Sequence, residues 1–254
     1  MAGAGSMSIW RLCFLLVTAL ALSGCDQFGN GTYRFRMTVV VETPDGVKSG
    51  SSVYQIDVAQ RLQVTPESQV RKVALTGESV AVEIAPGRTL FTLLKTVSNN
   101  DSFFLMSLRS LQPNCRQTYG SAEECTIDAM VSRLSKAGPG KPFIVKPENY
   151  PMLVTFGDLD DPTSVARVDP DDLAATFGEG VSLRRITVEV TDEPVTTGIE
   201  KRLGWWSRII ESGGNLIPME RTMINGRSRY KVAPGYDETL ADIGLSQFST
   251  EAYK

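Results

Sequence analysis

The stretch Tyr33-Arg34-Phe35-Arg36-Met37-Thr38-Val39-Val40-Val41-Glu42 alternates large apolar side chains with mostly polar ones. Successive side chains of a strand point to opposite faces, so Tyr33, Phe35, Met37, Val39 and Val41 share one face. That face calls for a core, and the opposite face can meet water. Thr43-Pro44-Asp45-Gly46 supplies a turn. Residues 53–58 (VYQIDV) read as the returning strand, reached through an irregular Ser/Gly connection. Further strands are expected over 70–75 and 80–84, flanking Thr76-Gly77-Glu78-Ser79, which reads as a hairpin turn. Ala85-Pro86-Gly87-Arg88 leads into another at 89–94. This first part reads as an antiparallel meander, sandwich-like.

The pattern then changes period. Asn99-Asn100-Asp101 can cap a short helix over Phe104, Leu105, Leu108 and Leu111, stopped by Pro113. Ser121-x-x-Glu124 has the form of a capping box. It precedes Ile127, Met130, Val131 and Leu134, spaced for one helix face. Residues 152–156 (MLVTF) read as a buried strand and 181–190 (VSLRRITVEV) as a long alternating one. Between them Asp169-Pro170 opens a helix over Leu173 and Phe177 that ends at Gly178. Residues 199–212 suit an amphipathic helix with Ile199, Leu203, Trp206 and Ile210 as its stripe, widened by Trp205 and Ile209. Gly204 weakens it by about 1 kcal/mol. Lys136-Ala-Gly-Pro-Gly-Lys-Pro142 is the strongest breaker cluster and reads either as a loop within one domain or as a boundary. The expected fold class is α+β, β-dominated, with a few packed helices. The organisation is a signal at 1–24, a tether at 25–32, a single domain at 33–212 and a loosely ordered tail at 213–254.

Ahead of the first strand, residues 12–22 (LCFLLVTALAL) form an uncharged apolar run preceded by Arg11 and closed by Ser23 and Gly24. As a helix the run would span roughly 16 Å, against roughly 30 Å for a bilayer core. It has the layout of a secretory signal. Leu22-Ser23-Gly24-Cys25 resembles a bacterial lipobox. The resemblance covers about the first 25 residues. It implies that the signal is cut before Cys25, that the Cys25 thiol is diacylated, and that the new amine receives a further chain such as palmitate. Two or more acyl chains give stable anchoring where one gives only reversible binding. A plain signal peptide with an incidental cysteine is the other reading. Asp26 beside the cysteine resembles an inner-membrane retention signal and favours the periplasmic face of the inner membrane over the outer one.

Losing Arg11 with the signal leaves 25 basic against 29 acidic residues, a formal charge of −4. That balance argues against nucleic-acid binding. The chain has no histidine, which removes Ser-His-Asp and Cys-His catalysis and histidine-ligated metals. Once Cys13 leaves and Cys25 takes lipid, Cys115 and Cys125 remain. In an oxidising envelope they read as a disulfide, with free thiols as the alternative. Without a second cysteine pair or any histidine, zinc is a poor fit.

Four groups of residues are candidates for chemistry. Asp158, Asp160 and Asp169 occupy positions 1, 3 and 12 of a calcium-loop register. Pro162, Thr163 and Ala166 stand where the register needs a ligand, a turn glycine and a ligand, so the aspartates read as turn and cap residues. Ser228-x-x-Lys231 has the spacing of a serine–lysine pair, at about the frequency chance supplies. Trp205 and Trp206 with the basic residues between 199 and 231 suit a core helix, a partner surface or a membrane surface. Asp192-Glu193 would point apart after a strand. No phosphate loop, dinucleotide fingerprint or nucleophile elbow is present. No catalytic, cofactor-binding or metal residue is therefore assigned. The expected function is a lipid-anchored binding or scaffolding module with an envelope protein partner. An envelope hydrolase lacking histidine, or a small-ligand carrier, is the alternative.

Overall fold

The computed structural model describes residues 31–60, 71–96, 103–224 and 227–252. The signal, Cys25 and most of the tether lie outside these residues. The first strand, β1 (Gly31–Thr43), begins two residues earlier than the alternation starts. Gly31 and Thr32 thus belong to the sheet rather than to the tether, because they pair with Val58 and Asp57 of β2 (Gly46–Gln60). The Ser/Gly stretch after the Pro44–Asp45 turn is strand as well, in register with β1 from Gly46 onward.

Beyond these two come β3 (Arg71–Thr76), β4 (Ala81–Ala85) and β5 (Arg88–Thr96), then helices α1 (Phe103–Leu111), α2 (Cys115–Tyr119) and α3 (Ile127–Leu134). The chain continues through β6 (Phe143–Ile144), β7 (Pro151–Phe156), β8 (Val165–Val168), α4 (Leu173–Phe177), β9 (Ser182–Val190) and α5 (Trp206–Glu211). It closes with the hairpin β10 (Met219–Ile224) and β11 (Arg227–Val232). The fold is α+β and β-dominated. One sheet runs β3-β2-β1-β9-β6 and a second runs β4-β5-β7-β8. Every pairing in them is antiparallel.

The sheet order corrects one expectation. Residues 76–79 are no hairpin turn: β3 pairs with β2 in the first sheet, while β4 pairs with β5 in the second. The segment crosses between sheets, and Ala85–Arg88 is the true hairpin. The crossing is tight. A Cβ on Gly50 would stand 2.2 Å from the carbonyl oxygen of Ala81. Glycine is needed there for close backbone approach.

Two cores follow from period two. Tyr33, Phe35, Met37, Val39 and Val41 face a first core with Val82, Ile84, Leu90 and Leu153 of the second sheet. Helices α1 and α3 cover it. Phe35 stacks on Tyr54 with centroids 5.0 Å apart, and Tyr54 meets Phe103 of α1 at 5.0 Å. Met152, Val154 and Phe156 point to the other face of the second sheet and, with Phe91 and Leu93, build a second core. All six residues of β7 are buried.

The second core overturns the expectation of a loose tail over 213–254. Leu216, Ile217, Leu240, Ile243, Leu245 and Phe248 are buried in it. The segment holds the exposed β10–β11 hairpin and then packs through short 3-10 turns at Glu238–Leu240 and Leu245–Gln247, whose spacing matches neither the helix nor the strand period. The folded unit therefore runs from Gly31 to beyond Phe248. Lys136-Ala-Gly-Pro-Gly-Lys-Pro142 lies inside it: the Gly140 amide donates to the Val190 carbonyl at 3.2 Å.

The 199–212 helix is broken at Gly204. A 3-10 turn at Ile199–Lys201 precedes α5, which starts at Trp206. The break rotates the stripe, so Trp205, Trp206 and Ile209 are buried while Ile210 is 39% exposed. The Trp205 indole donates to the Leu159 carbonyl at 2.9 Å. Helix α4 starts later than Asp169-Pro170 suggests, with Asp172 as its cap. Ser121 accepts from the Glu124 amide at 3.3 Å, but that turn is 3-10, and Thr126 caps α3.

Candidate functional site

The structure joins Cys115 to Cys125, with Cα atoms 5.8 Å apart. The bridge ties α2 to the 3-10 turn before α3, with the half-buried Cys115 packed against the edge of the first core. Arg133 of α3 organises the loop it closes. Its guanidinium pairs with Glu124 at 2.9 Å, donates its Nε–H to Gln112 Oε1 at 3.0 Å, and lies over the Tyr119 ring at 4.0 Å. Gln112 in turn donates to the Met130 carbonyl at 2.9 Å. Asn114, between α1 and the bridge, has φ 58°, a left-handed conformation that asparagine tolerates better than most residues.

This braced loop forms one wall of a cleft of about 400 Å³. The end of α1 supplies Arg109 and Ser110, and the opposite wall is Ile144, Lys146 and Glu148 at the sheet edge. Ser110 is 4% exposed and its hydroxyl has no hydrogen-bond partner. Leaving a buried hydroxyl unpaired costs free energy, and this one has essentially no surface open to the cleft. Among the described residues no base is hydrogen-bonded to the hydroxyl, the contact that would activate a serine as a nucleophile. The cleft has the makings of a binding site. No sequence pattern marks Ser110, Ile144 or Lys146; only the pairing of β6 with β9 brings them together.

A second recess, of about 230 Å³, surrounds Glu78 at the crossing between sheets. Glu78 is 7% exposed. Burial pushes its carboxyl above the ordinary range, opposed by the amides of Ile199 and Gly198. Ser52 donates to the Ser79 carbonyl at 3.1 Å, and Thr196 accepts from the Val53 amide at 2.8 Å. The Glu78 carboxylate and the Ser52 and Thr196 hydroxyls are spent on backbone partners, while the buried Ser79 hydroxyl has none among the described residues.

The other residues singled out from the sequence are dispersed. Asp158, Asp161 and Asp169 each accept the backbone amide two residues ahead, and Asp172 the one three ahead, at 2.9–3.0 Å. No cluster of three or more acidic or cysteine ligands suited to a metal occurs among the described residues. Ser228 and Lys231 lie three apart on exposed β11, hence on opposite faces. Ser228 accepts from Arg221 at 2.6 Å and Lys231 faces Glu220 at 3.8 Å. The pair does not meet. Glu193 pairs with Arg36, which also reaches Glu189 at 3.3 Å. The tryptophans are core, and the basic residues Arg221, Arg227, Arg229 and Lys231 stand on the exposed hairpin. Among the described residues no helix is long and apolar enough to cross a membrane. No protein-family model matches the chain, and neither a curated protein nor a solved structure matches it.

Proposed function

We propose that this chain is a lipid-anchored envelope protein, held at the periplasmic face of a bacterial membrane through Cys25, that binds other envelope components and does not turn over a substrate. The observation that carries the binding half is the cleft between the disulfide loop and the sheet edge, one wall of which is braced by the Cys115–Cys125 bridge and the Arg133–Glu124 pair. The lipobox resemblance at Leu22-Ser23-Gly24-Cys25 supports the anchor, and Asp26 favours the inner membrane. The absence of any serine–base contact at Ser110 or Ser228 weighs against a hydrolase.

Two measurements test it. In a diderm host the protein should fractionate with membranes and carry acyl mass, and Cys25→Ser should release it into the soluble fraction. The purified full chain in detergent should capture the same envelope component repeatedly and hydrolyse no ester, peptide or glycan substrate. Hydrolysis that survives repurification, with no component captured, would sink the binding reading.

A further inference from the structure

The hairpin of β10 and β11 stands apart from both large sheets. Among the described residues its two strands pair only with each other. Its base is seated. Val232 is buried in the second core, Met219 packs against that core, and the Ala233 amide donates to the Pro218 carbonyl at 2.9 Å. Beyond the base, residues 220–223 and 227–231 are exposed, apart from the half-buried Thr222. A lone two-stranded hairpin is marginally stable in water, so the projecting arm is carried by its base and has no core of its own.

The register sorts its side chains. Arg221 stands opposite Tyr230 and Met223 opposite Ser228 on one face; Glu220 stands opposite Lys231 and Thr222 opposite Arg229 on the other. On the first face Met223 is 64% exposed and Tyr230 68%, and the two are diagonal neighbours. On the second, Arg227, Arg229 and Lys231 follow at alternate positions of β11, roughly 7 Å apart. Lys231 faces the hairpin's one carboxylate, Glu220, at 3.8 Å. Arg221 donates to a neutral hydroxyl, that of Ser228. Arg227 and Arg229 make no ion pair among the described residues. The arm carries four of the 25 basic residues that follow the signal and one of the 29 acidic ones, a local +3 on a chain of −4.

Charge so segregated selects an anionic surface. Two arguments make that surface a bilayer. A face two six-residue strands wide falls well below the roughly 800 Å² per partner that a stable protein interface buries, whereas a headgroup layer asks for no shaped complement. Exposed Met223 and Tyr230 beside long arginines also suit the headgroup boundary, where such side chains divide their apolar and polar parts between lipid and water. The outer edges of the arm keep backbone groups without a strand partner, so it stays among headgroups and does not enter hydrocarbon.

We infer that the β10–β11 hairpin is a second membrane contact, docking on anionic phospholipid with Arg221, Arg227 and Arg229 on phosphates and Met223 and Tyr230 at the headgroup boundary. This rests on the anchor at Cys25, which keeps a bilayer within reach, and it turns the acidic remainder of the domain outward. Alone the arm binds only reversibly, so Cys25→Ser still leaves the membrane on washing.

Residues 26–254 hold the whole folded unit and neither signal nor lipid. This chain is sedimented with vesicles of phosphatidylcholine, or of phosphatidylcholine with one-third phosphatidylglycerol. It should bind the second and not the first, and lose the binding in about 1 M salt, where the screening length falls to about 3 Å. Arg227→Gln with Arg229→Gln should weaken binding roughly 30-fold, about fivefold for each cation near an anionic surface. Met223→Ser with Tyr230→Ser should weaken it severalfold. Lys136→Gln with Lys141→Gln removes equal charge from another exposed stretch and should bind as the parent does. All three double variants should unfold at the parent temperature. Equal binding to both vesicles, binding to neither, parent-like binding by either hairpin variant, or an equal loss in the Lys136 and Lys141 variant overturns the inference. Retention on immobilised polyglutamate without vesicle binding assigns the arm to an acidic protein partner and overturns it as well. The anchor reading is judged separately, by acyl mass and fractionation, and stands or falls whatever the vesicles show.

Discussion

The carboxylate of Glu78 accepts the amide hydrogen of Ile199, 121 positions further along the chain, at 2.8 Å. It fastens the crossing between the two sheets to the start of the segment that closes the second core. Burial is the main reason its carboxyl is raised from 4.5. In that state the folded protein holds the proton more tightly than the unfolded chain, so stability falls as pH rises from 4.5 through the raised value. Replacing it by glutamine keeps an acceptor for Ile199 and removes the titration. Relative to Glu78→Gln, the parent chain should lose stability progressively above pH 4.5. Parallel urea-unfolding profiles for the two proteins across pH 4 to 8 would contradict this.

Gly50 and Gly204 make opposite predictions. Alanine at Gly50 drives a methyl into the Ala81 carbonyl, so the strand and the crossing must separate. A loss of about 2–3 kcal/mol is expected. At Gly204 a Cβ meets nothing within 4 Å and the backbone is not left-handed. There alanine should be neutral or stabilising by about 0.5 kcal/mol, because it restricts the unfolded chain. Denaturant midpoints at constant m-value read both effects.

Phe248 is fully buried against Phe91 and Phe156, with centroids 5.9 Å from each. Phe248→Ala should cost about 3–5 kcal/mol. Ending the chain after Ala233 should abolish cooperative unfolding, not merely trim a tail. Calorimetry of the shortened chain decides the point: a sharp transition at the parent temperature would mean that the segment adds nothing to the second core.

Reducing the Cys115–Cys125 bridge should lower stability by about 2–3 kcal/mol on the chain-entropy account, since it closes a ten-residue separation. Arg133 and Gln112 should keep α3 in place, so circular dichroism should change little while the melting temperature falls. A reduced protein that melts with the oxidised one would show that Arg133 alone suffices to hold the loop.

Strands announce themselves where one face is buried and the other wet. The alternation from Tyr33 to Val39 survives in β1 because one sheet face meets the core and the other carries the half-buried Arg34, Arg36 and Thr38, and it breaks at Val40, which is buried where the pairing with β9 shifts register. Which strands become neighbours was less legible. Thr76-Gly77-Glu78-Ser79 has hairpin chemistry, yet the flanking strands join different sheets, because β3 finds its partner in β2 and β4 finds its own in β5. Local turn residues say that the chain bends and leave open where it goes. Ile243, Leu245 and Phe248 pack through 3-10 turns, a spacing that neither the helix nor the strand template detects. The cleft was the least legible feature of all. Cys115 and Cys125 mark one of its walls, but Ser110 and Ile144 look like ordinary residues until β6 pairs with β9.

The end of the chain is woven into its first half. The Ser79 amide donates to the Phe248 carbonyl at 2.7 Å, and the Thr250 amide to the Gly77 carbonyl at 3.1 Å. Contacts of such sequence separation form late and slow folding. A chain delivered N-terminus first brings its closing piece last. Until then the face built on Phe91 and Val154 is covered only in part, by Trp205, Trp206 and Ile209, and the remainder is exposed to aggregation. Arrival of the last residues therefore sets the earliest moment at which this protein can be safe from misassembly.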